Sequence, residues 1–209
     1  MQGISQYEVV NVKDNEEIVT FNEILNKLKV LDIEEDDEIG QYLKQVQKQA
    51  IYYIENYCNI SIFTREVLLR FSDYGCPQCN SKKANYVIEL TPVNKILNFS
   101  INSNDGKYIS LSSDKDFTLL RNSKTFSYIY LRKTLPSLNT DNIFPISISI
   151  EIGWGSKTPE DLKRAILEII SILYNNLSDG RNVDVNLDTF VASNVKSLLN
   201  NYRILYVWK

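Results

Sequence analysis

The sequence contains no histidine. That absence removes the Ser-His-Asp and Cys-His nucleophile systems, every imidazole-ligated zinc site and the usual near-neutral general base. Paired carboxylates or a lysine could still exchange protons, but no such constellation is visible, and the expectation is a protein that is not an enzyme. Cysteine is scarce: Cys58, Cys76 and Cys79 are too few and too unevenly placed for a disulfide framework, in keeping with a reducing compartment. A long apolar run is missing as well. Nothing approaches the roughly 18 residues of a membrane span, and Met1-Gln2-Gly3 opens neither a signal nor a transit peptide, so the chain is expected to be soluble, without a membrane partner, and made in a cytoplasm. Neither sign of charge dominates. Lys plus Arg number 23 against 26 Asp plus Glu, a net charge of -3 that argues against a phosphate backbone as the main partner.

What is present is enough apolar material for a core: 209 residues, 44% of them hydrophobic, suit one domain or one domain with an insertion. Residues 1 to 18 show no sustained period and read as an N-terminal arm that orders only against something else. Thr20 with Glu23 is a capping-box pattern ahead of Ile24, Leu25 and Leu28, which predicts a short helix ending near Val30. From Asp36 to about Tyr57, Ile39, Leu43, Val46, Ala50, Tyr53, Ile54 and Tyr57 recur at helical steps, with a Lys, Gln and Glu face opposite that reads as solvated. The two helices occupy residues 19 to 63.

Between residues 64 and 155 the period changes to that of an antiparallel β insertion. Val67 to Phe71, Tyr86 to Leu90, Ile96 to Ile101, Tyr128 to Arg132 and Ile146 to Ile152 are short, β-branched or aromatic, and separated by turn residues. Asn104-Asp105-Gly106 has hairpin chemistry. Ile146, Ile148, Ile150 and Ile152 alternate with polar residues, as a strand with one buried face requires. Helix returns over residues 156 to 203. Thr158 reads as a cap, Pro159 as the first helical residue and Asp161 as the far side of a second capping box, and Leu162, Ile166, Ile169, Ile170, Leu173 and Leu177 form a stripe up to Ser178-Asp179-Gly180. A last helix, about Leu187 to Tyr202, turns Val191, Val195, Leu198 and Leu199 inward, and residues 204 to 209 form an apolar tail. The fold class that follows is α+β, a small helical bundle carrying an inserted antiparallel β region.

This order resembles the head-to-tail connector, or adaptor, family of tailed bacteriophages. Ile33-Glu34-Glu35-Asp36-Asp37-Glu38-Ile39 with Ala50, Ile54 and Tyr57 is similar to that family's opening helical pair, and Leu90-Thr91-Pro92-Val93-Asn94-Lys95-Ile96 to a strand opened by a Pro-Val pair. Ile152-Gly153-Trp154-Gly155 followed by Thr158-Pro159-Glu160-Asp161-Leu162-Lys163-Arg164-Ala165-Ile166-Leu167 resembles its strand, glycine-aromatic turn and Pro-capped helix, and Val195, Leu198, Leu199, Tyr202 and Arg203 its closing helix. The resemblance spans about residues 20 to 203. The chain departs from the pattern at Cys76-Pro77-Gln78-Cys79, in a longer β insertion and after Arg203. The resemblance implies a structural part of the virion, assembled in a bacterial cytoplasm. It implies a homo-oligomeric, dodecameric ring below the portal that extends the channel for passing double-stranded DNA without sequence-specific contact, and that meets a downstream neck or tail protein. No cofactor is implied.

Four features have a functional and a bland reading. Cys76 and Cys79 supply half of a tetrahedral zinc site, which Cys58, Asp73 or a neighbouring subunit would have to complete, and they carry the alternative of a zinc- or nucleic-acid-binding accessory protein; the bland reading is a loop with ordinary thiols. The acidic run Glu34 to Glu38 lacks calcium-loop spacing and stands where carboxylates favour a helix N-terminus, while Lys44, Lys48, Lys82, Lys83, Lys163 and Arg164 read as solvated faces rather than a DNA grip. The tail Tyr202, Arg203, Ile204, Leu205, Tyr206, Val207 and Trp208 can pack on its own subunit or dock against the portal. Docking is the expectation, because an apolar aromatic terminus needs a partner. Metal analysis of the purified protein is expected to find no zinc; one equivalent per chain would turn Cys76 and Cys79 into a site.

Overall fold

The alternating isoleucines at residues 146 to 152 form the middle strand of the larger of two sheets. The computed structural model describes residues 4–30, 33–72, 85–88, 90–121, 127–132, 136–178, 191 and 193–204. Its strands are β1 (Ile4–Val12), β2 (Arg65–Phe71), β3 (Asn85–Ile88), β4 (Val93–Asn102), β5 (Tyr108–Ser110), β6 (Phe117–Arg121), β7 (Ser127–Leu131) and β8 (Ile146–Ile152). Its α-helices are α1 (Phe21–Leu28), α2 (Glu38–Cys58), α3 (Glu160–Ser178) and α4 (Ser193–Asn200). The fold is α+β. It divides into two compact units, the first made of residues 1–13 and 63–153, the second of residues 14–62 and 154–209.

The first unit contains a five-stranded sheet in the order β1-β2-β8-β4-β5 and a three-stranded sheet in the order β3-β7-β6, with every named pairing antiparallel. Strand β8 lies between β2 and β4, so Ile152 pairs with Arg65 on one side and Val93 on the other. Its isoleucines are buried and its serines are not, the period-2 outcome that the sequence predicts. The two sheets share one apolar core. A file of rings, Phe71, Tyr86, Phe99 and Phe117, runs through it with centroid spacings of 4.9, 5.9 and 5.3 Å, tilted or edge-on as ring quadrupoles favour. The Asn104-Asp105-Gly106 turn joins β4 to β5: the Gly106 N–H donates to the Ser103 carbonyl (2.8 Å) and the Ser103 N–H to that of Lys107 (2.9 Å). Gly106 takes the positive φ of 75° that the turn needs. A hydrogen bond from the Ser103 hydroxyl holds the Asp105 carboxyl below the usual range.

Residues 1 to 18 are a correction. Residues 4 to 12 are not an arm waiting for a partner but strand β1, paired with β2 from Ile4↔Phe71 to Val12↔Arg65. Both faces of the strand are largely exposed between Gln6 and Val10, which erases the alternation that would have marked it. The short strands β5 and β6 were not expected either, β5 because it spans three residues and buries none of them.

In the second unit α1 begins as expected, with Thr20 and Glu23 closing a capping box: the Glu23 N–H donates to Thr20 Oγ1 (3.2 Å) and the Thr20 N–H to Glu23 Oε2 (2.7 Å). That backbone bond, helped by the Thr20 hydroxyl, holds the Glu23 carboxyl below its ordinary range. Helix α3 packs against α1, α2 and α4, burying Leu162, Ala165, Ile166, Ile169 and Ile170, each larger side chain giving about 1.5–3 kcal/mol. Thr158 differs from its expected role. Its buried hydroxyl donates back to the Gly155 carbonyl (2.7 Å), closing the 3-10 turn Gly155–Lys157 that precedes α3. Helix α4 begins at Ser193, later than the expected Leu187; residues 179–190 lie outside the described residues.

The acidic run packs as a loop over the first turn of α2. Lys44 pairs with Glu35 (3.2 Å), and the Glu34 N–H donates to Asp37 (3.2 Å). The backbone of that loop lies on Gly40, where an added Cβ would stand 2.4 Å from the Glu34 carbonyl oxygen and 2.6 Å from that of Glu35. Two effects then oppose each other in Gly40→Ala: better helix propensity gains about 1 kcal/mol, and overpacking against backbone costs about 1–3 kcal/mol. The clash is with main chain, so it wins. Urea denaturation of Gly40→Ala is expected to show lower stability than the parent; equal or higher stability would mean that the loop yields.

Candidate assembly surfaces

The expected docking segment divides at Ile204. Helix α2 ends at Cys58 with no basic residue in its last turn, and the chain after α4 returns to that end. The Ile204 N–H donates to the Cys58 carbonyl (2.9 Å), and the Asn59 side-chain amide donates to the Ile204 carbonyl (3.0 Å). A helix C-terminus leaves carbonyls without intrahelical donors, and Ile204 answers one of them. The Arg203 guanidinium lies 4.7 Å from the centroid of the Tyr57 ring, where a cation also suits the negative end of α2. Tyr202 meets Trp154 edge to face (6.1 Å), and burial raises its hydroxyl pKa. Ile204 is buried. Ile204 therefore packs on its own subunit, Tyr202 is half-buried against Trp154 and Arg203 stays exposed beside the Tyr57 ring, while Leu205, Tyr206, Val207 and Trp208 lie outside the described residues.

The cysteine signals separate. Cys76, Cys79 and Asp73 lie outside the described residues, as do Lys82 and Lys83. Cys58 is fully buried under α4, with its thiol 3.5 Å from the Leu199 carbonyl. Among the described residues no three acidic or cysteine side chains gather as a metal-holding group, and no helix is long and apolar enough to cross a membrane. Lys48 pairs with Asp14 (2.9 Å) and Lys163 with Glu160 (3.1 Å), while Arg164 is exposed. These pairs are open to solvent and contribute little to stability. Glu55 was expected on the solvated face of α2; instead it is buried, accepting the Ile62 N–H at 2.7 Å. A glutamate one step from a buried stripe carries no sign in the sequence that a backbone donor will meet it.

Sheet edges are the surfaces that the sequence did not disclose. The five-stranded sheet ends at β1 and β5, and apolar side chains stand exposed at both, Tyr7, Val9 and Val10 on one and Tyr108 and Ile109 on the other. Edges of this kind expose main-chain donors and acceptors to any extended segment that can reach them.

No family model and no curated protein matches the chain. Solved structures do. The chain is similar to one in the virion of a native gene transfer agent (GTA) particle, at 16% identity and a TM-score of 0.68 over 97% of both chains. It is also similar to chains in the neck of the empty GTA particle computed with C6 symmetry (14% identity, TM-score 0.64) and of the native particle computed with C12 symmetry (15%, 0.64), again over 97% of each. At these identities the likeness is one of fold. It runs through both units, so the pairing of a β unit with a helical unit is common to this chain and the neck chains.

Burial also sets the reactivity of Cys58, whose thiol is pushed up to about 12 from 9.0 by desolvation, partly offset by Arg203. A raised folded-state pKa means that the neutral thiol is favoured by the fold: the contribution is complete below pH 9 and is lost as pH rises toward 12. Peptide-resolved alkylation at pH 8 is expected to leave Cys58 unmodified in the native protein and to modify it in denaturant. Rapid native labelling would mean that the α2–α4 contact opens.

Proposed function

We propose that the chain is a structural subunit of the neck of a phage-like virion, assembled in the host cytoplasm, where identical copies form an adaptor ring below the portal. One observation carries this reading: the fold is shared end to end with neck chains of GTA particles, in assemblies computed with six- and twelve-fold symmetry. A head-to-tail ring needs two different surfaces on each copy. The two edges of the five-stranded sheet and the loops of the β unit supply candidates. The ring would extend the channel for DNA passing from the portal and present a platform to the next neck or tail component. Positioning is its task, and no chemistry or cofactor enters.

The portal contact falls to Leu205, Tyr206, Val207 and Trp208, beyond the point where Ile204 is tied to α2. A tail anchored at its base and rich in aromatic residues at its end is suited to fill a pocket on a partner. Zinc-dependent accessory binding through Cys76 and Cys79 is the competing outcome. Electron microscopy of the full chain mixed with its portal is expected to show a ring seated on the portal face. A chain ending at Ile204 keeps its fold-holding contacts and is expected to bind portal rings at least ~10-fold more weakly. Equal binding would remove the docking role from the tail, and a monomer that binds zinc and never meets a portal would remove the adaptor reading.

A further inference from the structure

Strand β1 is an edge strand of unusual exposure for its length. Its register places Tyr7 opposite Leu69 and Val9 opposite Val67, so these side chains share a face of the sheet. Leu69 and Val67 are buried at 0% and 1% exposure, yet Tyr7 and Val9 one strand further out are 62% and 44% exposed. The apolar face thus continues onto β1 while the layer that covers it stops at β2.

Natural edges are usually blunted by lysine, proline, inward charge or bulges. Residues 4–12 contain neither lysine nor proline. Their one charge, Glu8, is drawn to Arg70 of β2 (3.1 Å). Bulges do occur, between Ile4 and Gln6 and between Val9 and Asn11, and they bound a regular stretch, Gln6 to Val9, that contains both exposed apolar side chains. Among the described residues no strand pairs with the outer side of β1. Such an edge selects its ligand by main-chain chemistry: an extended segment with its own free N–H and C=O groups and an apolar side chain to lay over Tyr7 and Val9.

We infer that β1 is a subunit-to-subunit strand, its Gln6–Val9 edge taking an extended segment from a second copy of this chain and Tyr7 and Val9 being covered in that contact. The inference rests on the ring reading given above. In a ring each β1 meets a different surface of an identical neighbour, and each neighbour carries a further exposed sheet edge at β5, with Tyr108 71% exposed. A self-complementary contact, β1 on β1, would stop at a dimer.

Hydrogen-deuterium exchange of the full chain, free and assembled on its portal, tests this without a variant. Amides within residues 6–9 are expected to exchange on the order of 10-fold more slowly in the assembly. The double variant Tyr7→Lys, Val9→Lys is expected to melt with the parent, since both positions face solvent, and to fail to assemble. Rings that form with unchanged exchange in β1, or a double variant that assembles as the parent does, would overturn the edge contact and leave the ring reading standing. No assembly by the parent, alone or with portal, would overturn both. If the double variant melts lower than the parent, Tyr7→Thr, Val9→Thr replaces it, and the exchange result decides.

Discussion

At Gly153 the main chain passes so close over Phe63 that no side chain fits between them. A Cβ there would lie 2.1 Å from the Phe63 carbonyl oxygen, and φ is +102°, a region closed to other residues in practice. The Gly153 N–H donates to the Pro92 carbonyl (2.9 Å), and its own carbonyl accepts from the Asn94 side chain (2.6 Å). This crossing locks the end of β8 against the starts of β2 and β4. The rest of the sheet depends on it, because the side-chain period of a strand is two, and a slip of one residue would turn Ile146, Ile148, Ile150 and Ile152 out of the core. Loss of register there would also displace β4 and the hairpin to β5.

The helical unit has a comparable fixed point at the C-terminal end of α2. Glu55 accepts the Ile62 N–H, Cys58 lies beneath α4 and Ile204 meets the Cys58 carbonyl, so three separate stretches of chain are tied within one helical turn. A buried carboxylate is costly unless donors surround it, and a helix end is costly unless its carbonyls find hydrogen. Each need is answered by the other's neighbourhood. Ile204 is thereby held at the end of α2 from both its N–H and its carbonyl.

Exposed apolar side chains stand at both edges of the five-stranded sheet, Tyr7, Val9 and Val10 on β1 and Tyr108 and Ile109 on β5. That distribution suits a part whose work is contact. In the proposed ring, a sheet edge is served by main-chain hydrogen bonds, which are tolerant of sequence, whereas an aromatic tail is served by a shaped pocket, which is not.

The elements with strong internal periods could be read without coordinates. The stripe of α2, the capping box of Thr20 and Glu23, the four isoleucines of β8 and the Asn-Asp-Gly turn are each dictated by residues within a few positions of one another, so local chemistry alone determined them. Strand β1 was not legible, because a strand exposed on both faces has no alternation and exists only through pairing with β2, more than fifty residues away in sequence. The return of Ile204 to the end of α2, and of Arg203 to the Tyr57 ring, was hidden for the same reason, since each is settled by a partner distant in the chain; Glu55 is settled by Ile62 across a loop whose course has no period to read. The sequence by itself determined the helices and strands that carry a strong internal period, and which of their faces are apolar. Only the tertiary structure decided which of those faces are covered, because covering is a property of two segments and a period is a property of one.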